Sequence, residues 1–401
     1  MRPLDVLLLN EYFPPDTAAT AKNAALVAEA IAERHYVTVL AGRPSYDPTV
    51  RHPPYLWRRE RQGNLTIERV GSTAFSRLRM KGRVANYLSY LALATPRALS
   101  LRPDVVLAMT DPPIEGIVGA TIARLLGRPF VYNVRDLYPD MALAGGILHS
   151  GSWTDNWERS HRRALRSAAR VIALGEDMRE RILEKSIDAS RVVVVRDAVP
   201  FPEISPAVDE AVVREIRGGF RFVIIHAGNL GFYGAWPTLI RAAQMLEGDG
   251  VGLVFIGEGA MKQQVQQAAQ SCTNVRFLPF RPACEIPSVM AAGDLHVVTI
   301  KRGLEGVVVP SKMYNILAAG RPLLAVATPK AEVARWAERY GCGLAADPDD
   351  AEEVAKSVRG VLAAPERLEH MSREARKLAK TYDRLSELRK FVDVIEQAAS
   401  G

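Results

Sequence analysis

The sequence predicts an α/β protein made of two parallel-sheet domains in tandem. Three observations carry that expectation. The chain has 401 residues, more than one ordinary hydrophobic core organises. Short apolar runs alternate with stretches of helical periodicity, once over residues 4–195 and again over 222–346. Between the two series, Asp197 to Val208 holds Pro200, Pro202 and Pro206 and no periodic run, which reads as a linker.

In the first series, Leu4–Leu9, Tyr36–Leu40, Leu65–Val70, Val105–Met109, Phe130–Val134, Val171–Leu174 and Val192–Val195 read as strands. Helices such as Ala21–Glu33 and Ile114–Leu126 lie between them. Alternation of this kind gives a parallel sheet covered on both faces. Ligands of such sheets bind beyond the carboxyl ends of the strands. Three strand-end loops fall there: Asn10–Thr20, Thr110–Pro113 and Arg135–Gly146. Within Ser76–Leu101, Arg77, Arg79, Lys81 and Arg83 precede Val84, Tyr87, Leu88 and Leu91 at helical spacing. That pattern suits a helix lying in a membrane interface, or a core helix behind a basic loop.

The second series offers strands at Phe222–Ala227, Gly252–Ile256, Val275–Leu278, Leu295–Ile300, Pro322–Val326 and Gly343–Ala346. Helices intervene at Thr238–Leu246 and Met261–Ala269, and a last helix covers Leu385–Ala399. The expected division is 1–199, 200–381, and a terminal segment 382–401 packing back toward the first domain. A cleft between tandem domains is a common place for substrate.

Composition narrows the class. Hydrophobic residues make up 48% and charged ones 24%, as in ordinary globular proteins. No run approaches the roughly 18 apolar residues of a membrane span. Val6–Leu9 meets Asn10, Glu11 and two prolines, so it reads as a buried strand and not a signal peptide, and a cytoplasmic location is expected. Cys272, Cys284 and Cys342 show no paired spacing, so neither a disulfide nor a zinc site is expected. The net charge of +7 belongs entirely to residues 1–200; residues 201–401 balance. Residues 51–83 carry nine Lys/Arg against Glu60 and Glu68. Such a basic half is either a solvated face or a surface for an anionic partner.

The most informative stretch is Gly303–Pro322, GLEGVVVPSKMYNILAAGRP. Glu305 sits in a glycine-flanked loop, Pro310 and Ser311 open a helix, and Gly320 closes it before Pro322. Lys312 falls in the first turn, where a cation opposes the helix dipole at a cost of about 0.3–1 kcal/mol when exposed. It either points into water or faces an anion held at the helix start. Earlier, HAGNLGFYG (His226–Gly234) ends a strand, and Gly228 and Gly231 let backbone approach a ligand. Gly257-Glu258-Gly259 follows another strand, and Phe277–Phe280 forms either core or a wall for a flat base. The dinucleotide and P-loop fingerprints are absent.

In their order these pieces resemble the family-4 type glycosyltransferases of GT-B fold. The resemblance runs through FPPDTAAT, PDVVLAMTDPP, FVYNVRDLYPD, RVIALGEDM, GNLG, GEG and VPSKMYNILAAGRP, and so over most of the chain. The PSK…NILA form is most similar to bacterial exopolysaccharide and O-antigen enzymes, including colanic-acid-type fucosyltransferases and fucosamine transferases. The resemblance implies two Rossmann-like domains, with donor bound by the second and acceptor by the first. It implies transfer from a UDP- or GDP-linked sugar with retention, without metal or other cofactor. An undecaprenyl-diphosphate-linked acceptor at an anionic membrane surface is the implied partner, and nucleic acid is not.

By matching position, Glu305 would hold the donor sugar and Lys312 the diphosphate, with Gly228, Asn229, Gly231, Glu258, Phe280, Val309, Ser311 and Asn315 around the donor. Asp136 would orient the acceptor hydroxyl, or cap its loop, with Asp16, Thr17, Arg135 and Tyr138 around the acceptor. The chain departs from the family at Asn315, where an acid is usual, and in the spacing from Glu305 to it. The usual Arg and Lys after the first glycine turn are also missing, which leaves Lys312, Lys301 and Arg302 as candidate cations. Asp347-Pro348-Asp349 reads as a capping loop. Two other functions fit the same sequence: a nucleotide-sugar 2-epimerase-like enzyme and a catalytically silent nucleotide-sugar-binding scaffold.

Overall fold

The structure is a computed structural model that describes residues 2–46, 53–76, 80–199 and 207–400. The chain forms two units, Met1–Arg196 with Ser386–Gly401, and Asp197–Leu385. Arg77, Arg79 and the three linker prolines lie outside the described residues.

The first unit is built on β1 (Asp5–Leu9), β2 (Tyr36–Ala41), β3 (Trp57–Gln62), β4 (Leu65–Val70), β5 (Val105–Ala108), β6 (Phe130–Asn133), β7 (Arg170–Ala173) and β8 (Val192–Val194). They run in the order β3-β4-β2-β1-β5-β6-β7-β8, every pairing parallel except β3 with β4. β1 and β5 are buried almost throughout because helices cover both faces, which explains their unbroken apolar sequences. β3, WRRERQ, has no counterpart among the expected strands. It is an edge strand exposed along most of its length, so it shows charge instead of apolar alternation.

That edge also accounts for part of the basic stretch. Arg97 pairs with Glu68 at 2.7 and 2.9 Å and stacks over Trp57 at 4.2 Å. Arg58 pairs with Glu60, and buried Arg69 donates to the carbonyls of Gly42 and Pro14. Several of these arginines therefore hold the sheet edge. The helix Arg384–Ser400 buries Phe391, Val392, Val394 and Ile395 in the core formed by Leu8, Val39 and Leu107. Its Glu396 receives His35 at 3.1 Å.

The second unit contains β9 (Phe222–Ala227), β10 (Val251–Ile256), β11 (Val275–Leu278), β12 (Leu295–Thr299), β13 (Leu323–Val326) and β14 (Gly343–Ala346). Their order is β11-β10-β9-β12-β13-β14, all parallel. Numbered within the unit this is 3-2-1-4-5-6, the doubly wound order whose switch point lies between β9 and β12. The loops leaving those two strands are where a ligand of this fold binds.

Candidate functional site

At the switch point of the second unit, β9 ends in His226-Ala227 and passes into Gly228, whose φ is +134°. β10 passes into Gly257, with φ +140°. A methyl on Gly257 would stand 2.2 Å from the Gly228 carbonyl oxygen, so only glycine lets the two loops cross. The same applies at Gly259, where the clash would be with Leu230. Asn229 accepts from the Tyr233 hydroxyl at 2.6 Å, and Gly231 from the Trp236 indole at 2.7 Å. The first loop is thus pinned by its own aromatics.

Lys312 reaches this loop from the other side of the switch point. Its Nζ lies 3.1 and 3.2 Å from the ring nitrogens of His226, and a methyl on Gly228 would meet it at 3.6 Å. His226 is fully buried, standing edge-on against Trp236 at 4.8 Å. Burial first, and the neighbouring ammonium second, hold its imidazole well below the usual histidine range. It is therefore neutral and can accept from Lys312. Burial in turn pushes the Lys312 ammonium down to about 7. Lys312 is half-buried as a residue, and desolvation leaves its charge poorly solvated. A cavity of about 110 Å³ opens beside it, lined by Gly228, Phe280, Lys312 and Asn315 among others. Phe280 is 70% exposed on its rim.

The helix after the loop is Lys312–Ala318, only seven residues long, with Ser311 at its N-cap and no side-chain cap bond. Two of its first N–H groups, on Met313 and Tyr314, donate to Pro310 and Ser311 carbonyls. The expected crown of open N–H groups is therefore already partly used, and the lysine side chain carries the cationic character of the site.

Glu305 does not reach Lys312 through any hydrogen bond or ion pair. It accepts from Gly303 N at 2.9 Å and from the Thr328 hydroxyl at 2.7 Å, clamping the Gly303–Val308 loop to the end of β13. Val309 continues that loop. Glu258 is exposed and pairs with Lys262 at 2.6 Å. Arg302, a candidate helper cation, is held instead by Asp347 and Asp349 at 2.7 Å each. The helix Ala351–Leu362 is capped by Asp350, whose carboxylate accepts from Glu353 N. Among the described residues, no three His, Cys, Asp or Glu side chains gather as metal ligands.

The first unit's switch point, between β1 and β5, has different chemistry. Glu11 follows β1 and is 1% exposed; its N–H donates to Asp111 O at 2.8 Å. Glu115 is equally buried, 3.1 Å from the Tyr90 hydroxyl. Burial, with Glu11 and Asp111 nearby, holds its carboxyl well above the usual range. Asp136 N donates to the Thr110 hydroxyl at 3.3 Å, and Tyr138 stacks on Trp157 at 5.8 Å. Burial and the carboxylates of Asp136 and Asp111 push the Tyr138 phenol up. Arg135 is buried and Thr17 is exposed. Asp16 is a clamp: its Oδ1 accepts from Ser45 N and Tyr46 N at 2.9 and 2.8 Å. The expected residues Asp136 and Tyr138 therefore come together near Asp111, while Asp16 ties its loop to the segment that follows β2.

Two doubly wound sheets in tandem, each with polar residues gathered at its switch point, are the GT-B architecture. Residues 19–198 match the Glycosyl transferase 4-like domain and residues 215–378 match Glycosyl transferases group 1, and the chain belongs to this family of glycosyltransferases. It is 27% identical to WbjE of Pseudomonas aeruginosa, named as a glycosyltransferase, over 71% of this chain and 72% of that one. It is 24% identical to WcaI of Escherichia coli K12, named for colanic acid biosynthesis, over 98% and 100%. Among solved structures it is similar to Anabaena HepE in complex with UDP-glucose, with 18% identity, a TM-score of 0.69, and 98% and 99% of the two chains covered.

Proposed function

We propose that the protein is a retaining glycosyltransferase that moves a sugar from a nucleotide-diphosphate donor onto a lipid-linked glycan, in the building of a cell-surface polysaccharide at the cytoplasmic face of a membrane. The observation that carries this is the enclosed Lys312 ammonium, seated on neutral His226 beside a glycine-walled loop at the switch point. A diphosphate there would find a cation that water solvates poorly, and charge growing on the leaving phosphate would be neutralised in place. Glu305 would hold donor-sugar hydroxyls, Asn315 the ribose and Phe280 the base. The titles of HepE structures with UDP and UDP-glucose support a nucleotide-sugar donor, and WcaI's name supports the polysaccharide role, including the colanic-acid-like subgroup.

The acceptor would bind the first unit, where Asp136 would orient its hydroxyl. The bond from C1 to the phosphate oxygen breaks as the acceptor oxygen joins the same face of C1, and the proton passes to the departing phosphate. Lys312 supplies the neutralising charge, so the reading calls for no metal. Met80, Val84 and Leu88 form an exposed apolar stripe at i, i+4, i+8 on the helix Met80–Ser100, next to Lys81 and Arg83. That stripe supports peripheral contact with an anionic membrane. No helix among the described residues is long and apolar enough to cross one.

The test is a transfer assay with UDP- and GDP-sugars and undecaprenyl-diphosphate-linked glycan, following nucleotide release and the anomeric configuration of the product. Retained configuration is expected. An inverted linkage contradicts the mechanism, and binding without release points to a silent scaffold.

A further inference from the structure

On the first unit, the helix Glu115–Leu126 packs beside the helix Ser152–Ser167. Between them lies a cavity of about 450 Å³, opening toward the turn that precedes β6. Helices of a parallel sheet run against its strands, so this is the edge opposite the strand-end loops described above. Arg124, Arg128 and Arg163 all line the cavity, and no carboxylate does.

These arginines have little structural employment. The helix Glu115–Leu126 is closed by Gly127 in the left-handed conformation, with Gly127 N and Arg128 N donating to Arg124 O and Ala123 O. The end of the helix Ser152–Ser167 is capped by Arg191, which donates to Arg166 O at 2.9 Å. Neither helix end therefore needs Arg124 or Arg163, and neither of these forms an ion pair with a described residue. Arg128 reaches Asp104 only at 3.8 Å, and Asp104 is already bound by Arg2 at 2.9 Å.

The hydroxyls on the cavity wall turn inward. Ser160, Ser167 and Thr121 donate to carbonyls of their own helices. The charged residues of the wall are the three arginines, whose guanidinium groups offer planar paired N–H donors that match phosphate oxygens two at a time. All three arginines are exposed, so the open cavity presents a single sign of charge to a ligand.

We propose that this cavity binds a phosphate-bearing ligand, through Arg124, Arg128 and Arg163. The site is independent of the donor pocket and of the transfer reaction assigned above. A soluble phosphate compound and a phospholipid headgroup present the same chemistry to it.

The test uses the full chain carrying Lys312→Ala, which weakens the donor pocket, titrated calorimetrically with inorganic pyrophosphate. Saturable binding is expected, weakened at least tenfold by adding Arg124→Ser and Arg163→Ser. A control pair, Arg159→Ser and Arg166→Ser, removes the same amount of charge from positions on the helix Ser152–Ser167 that do not line the cavity, and should leave binding intact. No binding in the Lys312→Ala protein, an unchanged affinity in the Arg124/Arg163 variant, or an equal loss in the control pair each overturns the proposal. Sedimentation with phosphatidylglycerol and phosphatidylcholine vesicles then separates the sources. Loss of phosphatidylglycerol binding in the Arg124/Arg163 variant alone assigns a headgroup, and unaltered vesicle binding assigns a soluble ligand.

Discussion

The two units share a doubly wound parallel core, to which the first adds an antiparallel edge strand, and treat their switch points in opposite ways. In the second, glycine loops cross and a single ammonium rests on a neutral imidazole. In the first, Glu11, Asp111 and Glu115 gather at the same topological position, with Asp136 beside them. Doubly wound sheets offer the same crevice each time, and the side chains on the two outgoing loops decide what it can hold. A cation beside bare backbone suits an anion. Carboxylates and phenols suit hydroxyl groups, as a sugar acceptor would present.

The sharpest way to break this contrast is at Glu305, the acid assigned to the donor sugar. Glu305→Gln is expected to lower kcat by about 100-fold, on the scale of losing a transition-state contact. Donor affinity should stay within about twofold, because the amide oxygen can still accept from Gly303 N while its NH2 donates to the Thr328 hydroxyl. Normal turnover would leave Glu305 as a loop clamp only. Next is Gly257→Ala. Its methyl has no room against Gly228 O, so the crossing must open. Donor affinity should fall about tenfold, with a loss of roughly 1–3 kcal/mol in stability from the strained φ; an unchanged affinity would separate the loop crossing from binding.

Acid tests both units at once. His161 in the first and His296 in the second are buried, and burial holds each down to about 4. Their folded values lie below the unfolded one, so their contribution is complete above about pH 6.5 and is lost as pH falls toward 4. Each is expected to cost on the order of 3 kcal/mol over that window. His161→Gln should flatten the pH slope of thermal unfolding for the first unit, and His296→Gln for the second; unaltered slopes would mean that neither histidine resists protonation. The smallest expected effect is at the surface. Replacing Met80, Val84 and Leu88 by Ser should weaken binding to phosphatidylglycerol vesicles a few-fold, and no change would leave the stripe as ordinary exposed surface.

Most strands were legible because buried parallel strands are continuous apolar runs, as in Val105–Ala108. β3 was not, because an exposed edge strand need not be apolar on either face. Lys312 stood out because a cation is misplaced at a helix start. His226 did not, because it sits inside an apolar run, and its role depends on a lysine 86 residues away. The capture of Arg302 by Asp347 and Asp349, 45 and 47 residues on, is equally invisible along the chain. The same holds for Glu11, Asp111 and Glu115, which the sheet order brings together. Glu305 was legible as an unusual acid, but its clamp to Thr328 was not.

The central claim is that Lys312 is the anion seat of the second unit. Its ammonium is held down to about 7, so at pH 8 the empty site is mostly neutral, and a diphosphate should draw a proton onto it. We would titrate UDP and GDP into the protein at pH 8 in two buffers of different ionisation enthalpy, with and without Lys312→Ala. The account predicts tight binding of one nucleotide with uptake of a large fraction of a proton, and at least a tenfold loss of affinity with no uptake in the variant. Equal affinity and equal proton exchange in the two proteins would contradict it.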